Sequence, residues 1–228
     1  IPPKKKLSFS ENFFYMCFGK VPKKEIVKAF DVSLILYAEH SFNVSTFTAR
    51  TITSSLSDIH GAITGAIASL KGPLHGGANE EVMHMLKKIK KPENAKKWIL
   101  DALENKKLVM GFGHRVYRKG DSRVPTMKKY YYKVAELLKE KKLPKMSQII
   151  EDVMIEKKNI HPNVDFPTGP TYHMMGFDTD FFTPIFVMSR ITGWSAHIME
   201  QHAANKLIRP LSKYSGEKHR KVMLLNQR

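Results

Sequence analysis

The chain has 228 residues, 42% of them hydrophobic, and carries 38 Lys+Arg against 21 Asp+Glu. That is enough apolar material for the core of one large domain or two small ones, which excludes a disordered tail, and the lone cysteine, Cys17, excludes both an intrachain disulfide framework and a multi-cysteine zinc site. No run approaches the roughly 20 apolar residues of a membrane span, and the formal net charge of +17 points to anionic ligands.

From the N-terminus, "IPPKKKLSFSE" starts at Ile1 and reads as the interior of a longer chain, so any targeting segment is expected upstream. Residues 24–40, "KEIVKAFDVSLILYAEH", are a helix candidate. The stretch 45–54, "STFTARTITS", is β-branched and suits a strand on propensity alone. It leads straight into the Ala/Ile-rich 59–70, so helix is the preferred reading. Val82, Met85, Leu86 and Ile89 then fall at helical spacing, as do Leu100 and Leu103. Met127, Tyr130, Tyr131, Val134, Leu137 and Leu138 form another stripe, and Ile149, Ile150, Val153 and Met154 continue the pattern. These stripes read as core, the tyrosines included. Phe182 to Met199 is a long, mostly apolar helix entered at Thr183-Pro184. The periodicity therefore predicts an all-α protein. No internal repeat interrupts it. The lysine runs at 4–6, 87–88, 90–91 and 139–142 are scattered, so they read as solvated helix faces and not as a nucleic-acid arm.

Three breaks, at 71–79, 109–123 and 160–170, each combine Gly or Pro with ionisable residues, and such loops are where chemistry is usually placed. In "GPLHGGANE", His75 stands where glycines let backbone approach a ligand and where a helix begins. That field keeps the imidazole neutral, and a neutral ring can donate to a developing oxyanion; the alternative is a buried, satisfied histidine at a helix cap. In "VMGFGHRVYRKGDSR", Gly111-Phe112-Gly113 lacks the third glycine and the preceding strand of a dinucleotide fingerprint. What remains is flexible backbone, His114, and the forks of Arg115, Arg118 and Arg123, which suit carboxylate or phosphate oxygens; a solvated surface loop is the alternative. In "NIHPNVDFPTGP", Asp165 lies between Val164 and Phe166, and desolvation raises an unpaired carboxyl towards the range of a general base. An Asx-turn or helix cap is the commoner fate of such a residue. No His-x-x-x-His pair backed by carboxylates, no Gly-x-Ser-x-Gly elbow and no P-loop competes, so no metal site is expected.

Taken in order, "LILYAEHSFNVSTFTAR", "GPLHGGANE", "GFGHRVYRKGDSR", "HPNVDF", "SRITGWSAHIMEQ" and "IRPLSKYSG" resemble the citrate synthase family from about Phe13 to the end. Relative to that family, well over a hundred residues at the front are missing, and a piece of this size is expected not to fold as a stable monomer. "YAEHSFNVSTFTAR", "GDSRVPTM" and "HIMEQ" look most like 2-methylcitrate synthases that also accept acetyl-CoA, and Tyr37 stands where many citrate synthases carry histidine.

The resemblance implies a two-domain helical fold, with residues 1–79 and 177–228 as the remainder of the large domain and 80–176 as the small one. It implies condensation of an acyl-CoA with oxaloacetate, then thioester hydrolysis, with no permanently bound cofactor. His75 matches the histidine that stabilises the enol, Asp165 the base, and His114 the histidine that polarises the ketone. His40, Arg123 and Arg190 match oxaloacetate ligands. Arg209 matches the arginine that reaches the partner's site in a homodimer. Gly111, Phe112, Gly113 and Arg118 match the CoA loop. Closure of the two domains on oxaloacetate is implied. The implied compartment is the mitochondrial matrix in a eukaryote or the cytoplasm in a bacterium. The rival readings are a plain citrate synthase, a non-catalytic structural or nucleic-acid-binding relative, and ATP citrate lyase, which would need upstream nucleotide-handling domains.

Overall fold

The structure is a computed structural model that describes residues 1–117 and 119–227. Ten α-helices are found among the described residues, and no β-strand. They are α1 (Phe9–Phe18), α2 (Lys24–Ala38), α3 (Val44–Ser54), α4 (Ile59–Leu70), α5 (Ala78–Ile89), α6 (Pro92–Glu104), α7 (Val124–Leu137), α8 (Lys142–Lys158), α9 (Asp165–Met174) and α10 (Phe182–Ala203). A 3₁₀ turn, Thr179–Phe181, leads into α10, and a second spans Leu225–Gln227. The all-α class expected from the periodicity is the one observed.

Local chemistry sets the boundaries. Ser8 and Glu11 close a reciprocal capping box at the start of α1. Asn43 and Asp58 cap α3 and α4 by accepting from the amides of Thr46 and Gly61. The β-branched stretch 45–54 is helical because that cap anchors it, and Thr48, Thr51 and Thr53 satisfy their hydroxyls on carbonyls four residues back. The third break is shorter than its composition suggests. Residues 165–174, "DFPTGPTYHM", form α9 in spite of Pro167 and Pro170. Pro167 sits in the first turn, where its missing N–H is no loss. Thr168 and Thr171 bond the carbonyls of Val164 and Pro167, and the segment from Phe166 to Tyr172 is wholly buried.

Helix α10 is the centre of the packing, against α2, α3 and α4, while α9 packs on α5 and α7, and α6 on α8. The hydrophobic core runs without a break from Phe30 on α2 through Tyr172 on α9 to Trp194 on α10. Gly193 is where α10 meets the end of α2. A Cβ there would lie 2.4 Å from the carbonyl oxygen of Ala38, a backbone atom that cannot swing away. Gly193→Ala is therefore expected to force the helices apart and to destabilise by about 1–3 kcal/mol. The same shift displaces the 39–43 turn, so denaturant unfolding and ligand affinity should fall together; unchanged values of both would show that the contact relaxes freely.

Candidate active site

A cavity of about 730 Å³ opens where the end of α2, the 71–77 turn, the 105–123 connection and the first residue of α9 meet α10. It gathers most of the residues singled out in the sequence: His40, His75, Gly111, Phe112, Gly113, His114, Arg123, Asp165 and Arg190. Arg209 is not among them; it is exposed on the extended stretch after α10. Arg118 lies outside the described residues.

The glycine-rich connection is tied to the start of α9 by a short two-stranded contact. Phe112 pairs antiparallel with Pro162. Gly113 N donates to His161 O at 2.9 Å, and Asn163 N donates to Gly111 O at 2.9 Å. Gly111 has φ +82°, and a Cβ there would lie 2.6 Å from Val82 and 2.9 Å from Phe166. Only glycine satisfies both the backbone and the space. This clasp joins the connection that carries His114 to the start of α9, and His114 and Asp165 line the same cavity.

Backbone amides assign the proton on two of the histidines. Ser45 N–H points at His75 Nε2 at 3.3 Å, and Ser45 Oγ is 2.8 Å from the same nitrogen. With Nε2 accepting, the ring proton is on Nδ1. For His114, the amides of Val116 and Tyr117 both donate to Nδ1, at 3.1 and 3.3 Å. Its proton is therefore on Nε2. Burial, then the charge of Arg190, holds the pKa of His75 at about 4. Burial, then Arg123, lowers that of His114. His40 sits edge-on to His114, with ring centroids 5.2 Å apart. Burial and the charges of Arg123 and any protonated His114 bring it to about 4. At neutral pH the site thus holds neutral imidazoles, two of which have a defined N–H free to donate.

Two guanidinium groups supply the positive charge. Arg190 is almost wholly buried; its Nε donates to the carbonyl of Tyr37 at 2.6 Å, and its Nη1 finds no hydrogen-bond partner among the described residues. Burial and then the charge of Arg123 depress its pKa to about 10, so it remains charged at neutral pH. A buried guanidinium with an unused donor is a demand for an anion.

Arg123 is held by Asp121 through both Nε and Nη2, at 3.0 and 2.7 Å. Asp121 also accepts from the amides of Arg123 and Val164, each at 3.0 Å. One buried carboxylate thus links the arginine to the residue preceding Asp165. Asp121→Asn should leave the fork unmatched and cost about 3–5 kcal/mol, with affinity for a dicarboxylate falling in parallel. Urea unfolding and ligand titration would measure the two; a loss of stability without loss of affinity would mean that Arg123 keeps its aim unaided.

Asp165, partly buried at the head of α9, faces this array. Burial raises its pKa to about 6, against the lowering effects of a hydrogen bond from Tyr37 and the charges of Arg123 and Arg190. A carboxyl in that range is a base near neutral pH. Of the polar contacts described here, sequence reasoning missed the roles of Tyr37, Ser45 and Asp121. Tyr37 falls one helical turn before His40, a spacing that could have placed it. "GDSR" reads as a turn and gives no sign that Asp121 is buried.

Comparison with known proteins adds four findings. A family profile described as "Citrate synthase, C-terminal domain" matches residues 1–211. The chain is 54% identical over 223 residues to the citrate synthase of Mycolicibacterium smegmatis, covering 98% of this chain and 60% of that one. It is 56% identical over 220 residues to the 2-methylcitrate synthase of Mycobacterium tuberculosis H37Rv, covering 96% and 56%. Its structure matches that of the citrate synthase from the archaeon Thermoplasma acidophilum, solved as a ternary complex with carboxymethyl coenzyme A and oxaloacetate, with a TM-score of 0.89, 39% identity, and coverage of 99% and 61%. The chain therefore spans about 60% of the length of the relatives it matches.

Proposed function

This chain belongs to the citrate synthase family, and we propose that in its full-length protein it condenses a short acyl-CoA with oxaloacetate and releases CoA. The convergence of Asp165, His75, His114 and two arginines in one cavity carries the reading. Propionyl-CoA is the first substrate, in keeping with the similarity to 2-methylcitrate synthases, and acetyl-CoA the second, in keeping with that to citrate synthases. One methylene separates them, worth about 1–3 kcal/mol in an apolar pocket, so both are accepted.

In this reading Arg123 and Arg190 bind the two carboxylates of oxaloacetate, with His40 beside them. Asp165 takes a proton from the α-carbon of the acyl group. The thioester oxygen gains negative charge and accepts a hydrogen bond from Nδ1–H of His75. The α-carbon attacks the ketone carbon of oxaloacetate, forming the new C–C bond, while Nε2–H of His114 stabilises the ketone oxygen as it becomes an alkoxide. The proton lost from the acyl carbon balances the one gained at the new hydroxyl. Water then attacks the thioester carbon, the C–S bond breaks, and CoA leaves as the thiol. Each step is served by side chains of this chain, and none calls for a resident metal or redox group.

Gly111, Phe112, Gly113 and Arg118 form the CoA loop in this reading. Residues 80–176 act as the small domain, closing on 1–79 and 177–228 when oxaloacetate binds. Arg209, exposed beyond α10, completes the site of a second copy in a homodimer. Thiol release by the full-length protein, with oxaloacetate and either propionyl-CoA or acetyl-CoA, is the test. Release dependent on oxaloacetate with both thioesters, faster with propionyl-CoA, is expected. No release from either by a folded protein would overturn the reading.

A further inference from the structure

Tyr37 touches two of the groups that matter. It is 1% exposed at the end of α2, with its ring packed on Phe186 at 4.0 Å between centroids. Its carbonyl accepts from Arg190 Nε at 2.6 Å, and its hydroxyl donates to Asp165 Oδ1 at 2.5 Å. Among the described residues no other group donates to the Asp165 carboxyl. We propose that Tyr37 is a positioning residue for the base: its phenol occupies Oδ1, holds the group as a carboxylate, and leaves Oδ2 free to face the α-carbon of the acyl group. The inference rests on Asp165 being the base of the proposed reaction.

Val164 and Phe166 flank Asp165, and α9 is buried from Phe166 onward. Desolvation favours the neutral acid, which cannot take a proton. Three elements act against that: Tyr37 from α2, Arg123 at the head of α7, and Arg190 from α10, while Asp121 adds an opposing negative charge. Arg123 already spends two of its donors on Asp121, and Arg190 spends its Nε on a carbonyl. The phenol is the one direct donor. A short O–H···O⁻ bond of this length is typical of a charged acceptor. Burial, and next the Asp165 charge, push the phenol's own ionisation well above its ordinary value. Tyr37 therefore stays neutral and keeps donating over the whole working range.

A second consequence is directional. A carboxylate with both oxygens free can rotate, and either oxygen can meet the substrate. Pinning one oxygen selects the other and fixes the plane of the group, which is how effective proximity is gained. The bond spans α2 and α9, which Ser33 Oγ and the Tyr172 hydroxyl also link at 2.9 Å. Loss of the phenol alone therefore leaves the two helices joined, and leaves the carbonyl that anchors Arg190 in place.

The test is Tyr37→Phe in the full-length protein, with 3-fluorotyrosine and 3,5-difluorotyrosine at the same position as near-isosteric, stronger donors. Two quantities are read: the acidic limb of kcat/KM against pH for the acyl-CoA, and the pH at which the carbonyl stretch of protonated Asp165 appears in the infrared, identified by its absence in Asp165→Asn. The infrared reading needs no turnover. In Tyr37→Phe both should move to higher pH by about one unit, roughly a tenfold loss of rate below the limb and little loss above it. The fluorinated residues should move both to lower pH, in order of phenol acidity. A limb and a carboxyl titration that stay where they are, whatever the fall in rate, would overturn the proposal and leave Tyr37 as packing. A carboxyl titration that follows the phenol in a protein that releases no CoA would confirm the hold on Asp165 and sink the reading of Asp165 as base.

Discussion

Asp165→Asn should remove turnover and make the protein more stable. The amide is nearly isosteric and can still accept from the Tyr37 hydroxyl at Oδ1. It cannot take a proton from carbon, so a loss of about 10²–10⁴-fold in kcat is expected. The gain in stability follows from the raised pKa of about 6 in the folded state, against about 3.9 for an exposed aspartate. The folded protein holds its proton more tightly than the unfolded chain does. The native state is therefore penalised as pH rises from about 4 to about 6, and above that the penalty is complete. Removing the group should add about 3 kcal/mol at pH 7 and nothing well below pH 4, where both states carry the proton. Thermal or urea unfolding of both proteins across that range would check the sign. A variant equally stable at every pH would mean that Asp165 is not strained, and one that is active would remove it as the base.

His75→Ala is the second large effect. In the proposed reaction the Nδ1–H assigned by the Ser45 contacts donates to the thioester oxygen, and a lost oxyanion donor costs about 10²–10³-fold in kcat. Oxaloacetate affinity should change little, because Arg123, Arg190 and His114 are held by other partners. Exchange of the acyl α-hydrogen with solvent should fall in step with kcat, since both need the enol. The loss of an acceptor for the Ser45 amide should cost only about 1 kcal/mol of stability. Normal exchange with lost turnover would instead place His75 at the later, hydrolytic step.

What the sequence revealed depended on range. The helices were legible because their apolar stripes repeat within a turn or two: α5 buries every residue that the spacing singles out, while α7 buries Met127, Tyr131 and Val134 but leaves Tyr130 and Leu137 half-buried and Leu138 exposed, and α8 buries Ile150, Val153 and Met154 with Ile149 half-buried. His75, His114 and Asp165 were legible because glycine and proline mark the loops that hold them. Residues 165–170 were misread as loop. Their prolines are local signals, whereas the burial and threonine hydroxyl bonds that make them helical arise only in the fold. Asp121 and Tyr37 were illegible as partners for the same reason. Their contacts with Val164 and Asp165 join residues 43 and 128 positions apart. Among the described residues no lysine lines the cavity, whereas Arg115, Arg123 and Arg190 do.

One feature of the histidines bears on how such a site endures genetic drift. In His75 and His114 one ring nitrogen accepts from main-chain amides, those of Ser45, Val116 and Tyr117, and among the described residues neither ring leans on a carboxylate. An amide persists under any substitution except proline. Side chains at 116 and 117 can therefore vary over generations without moving the His114 proton from one ring nitrogen to the other, whereas at 45 the hydroxyl also contacts His75 Nε2, at 2.8 Å. The electrophilic face of the site is insulated against mutation at 116 and 117. Its basic face is not: it depends on a phenol and a carboxylate that single substitutions can erase.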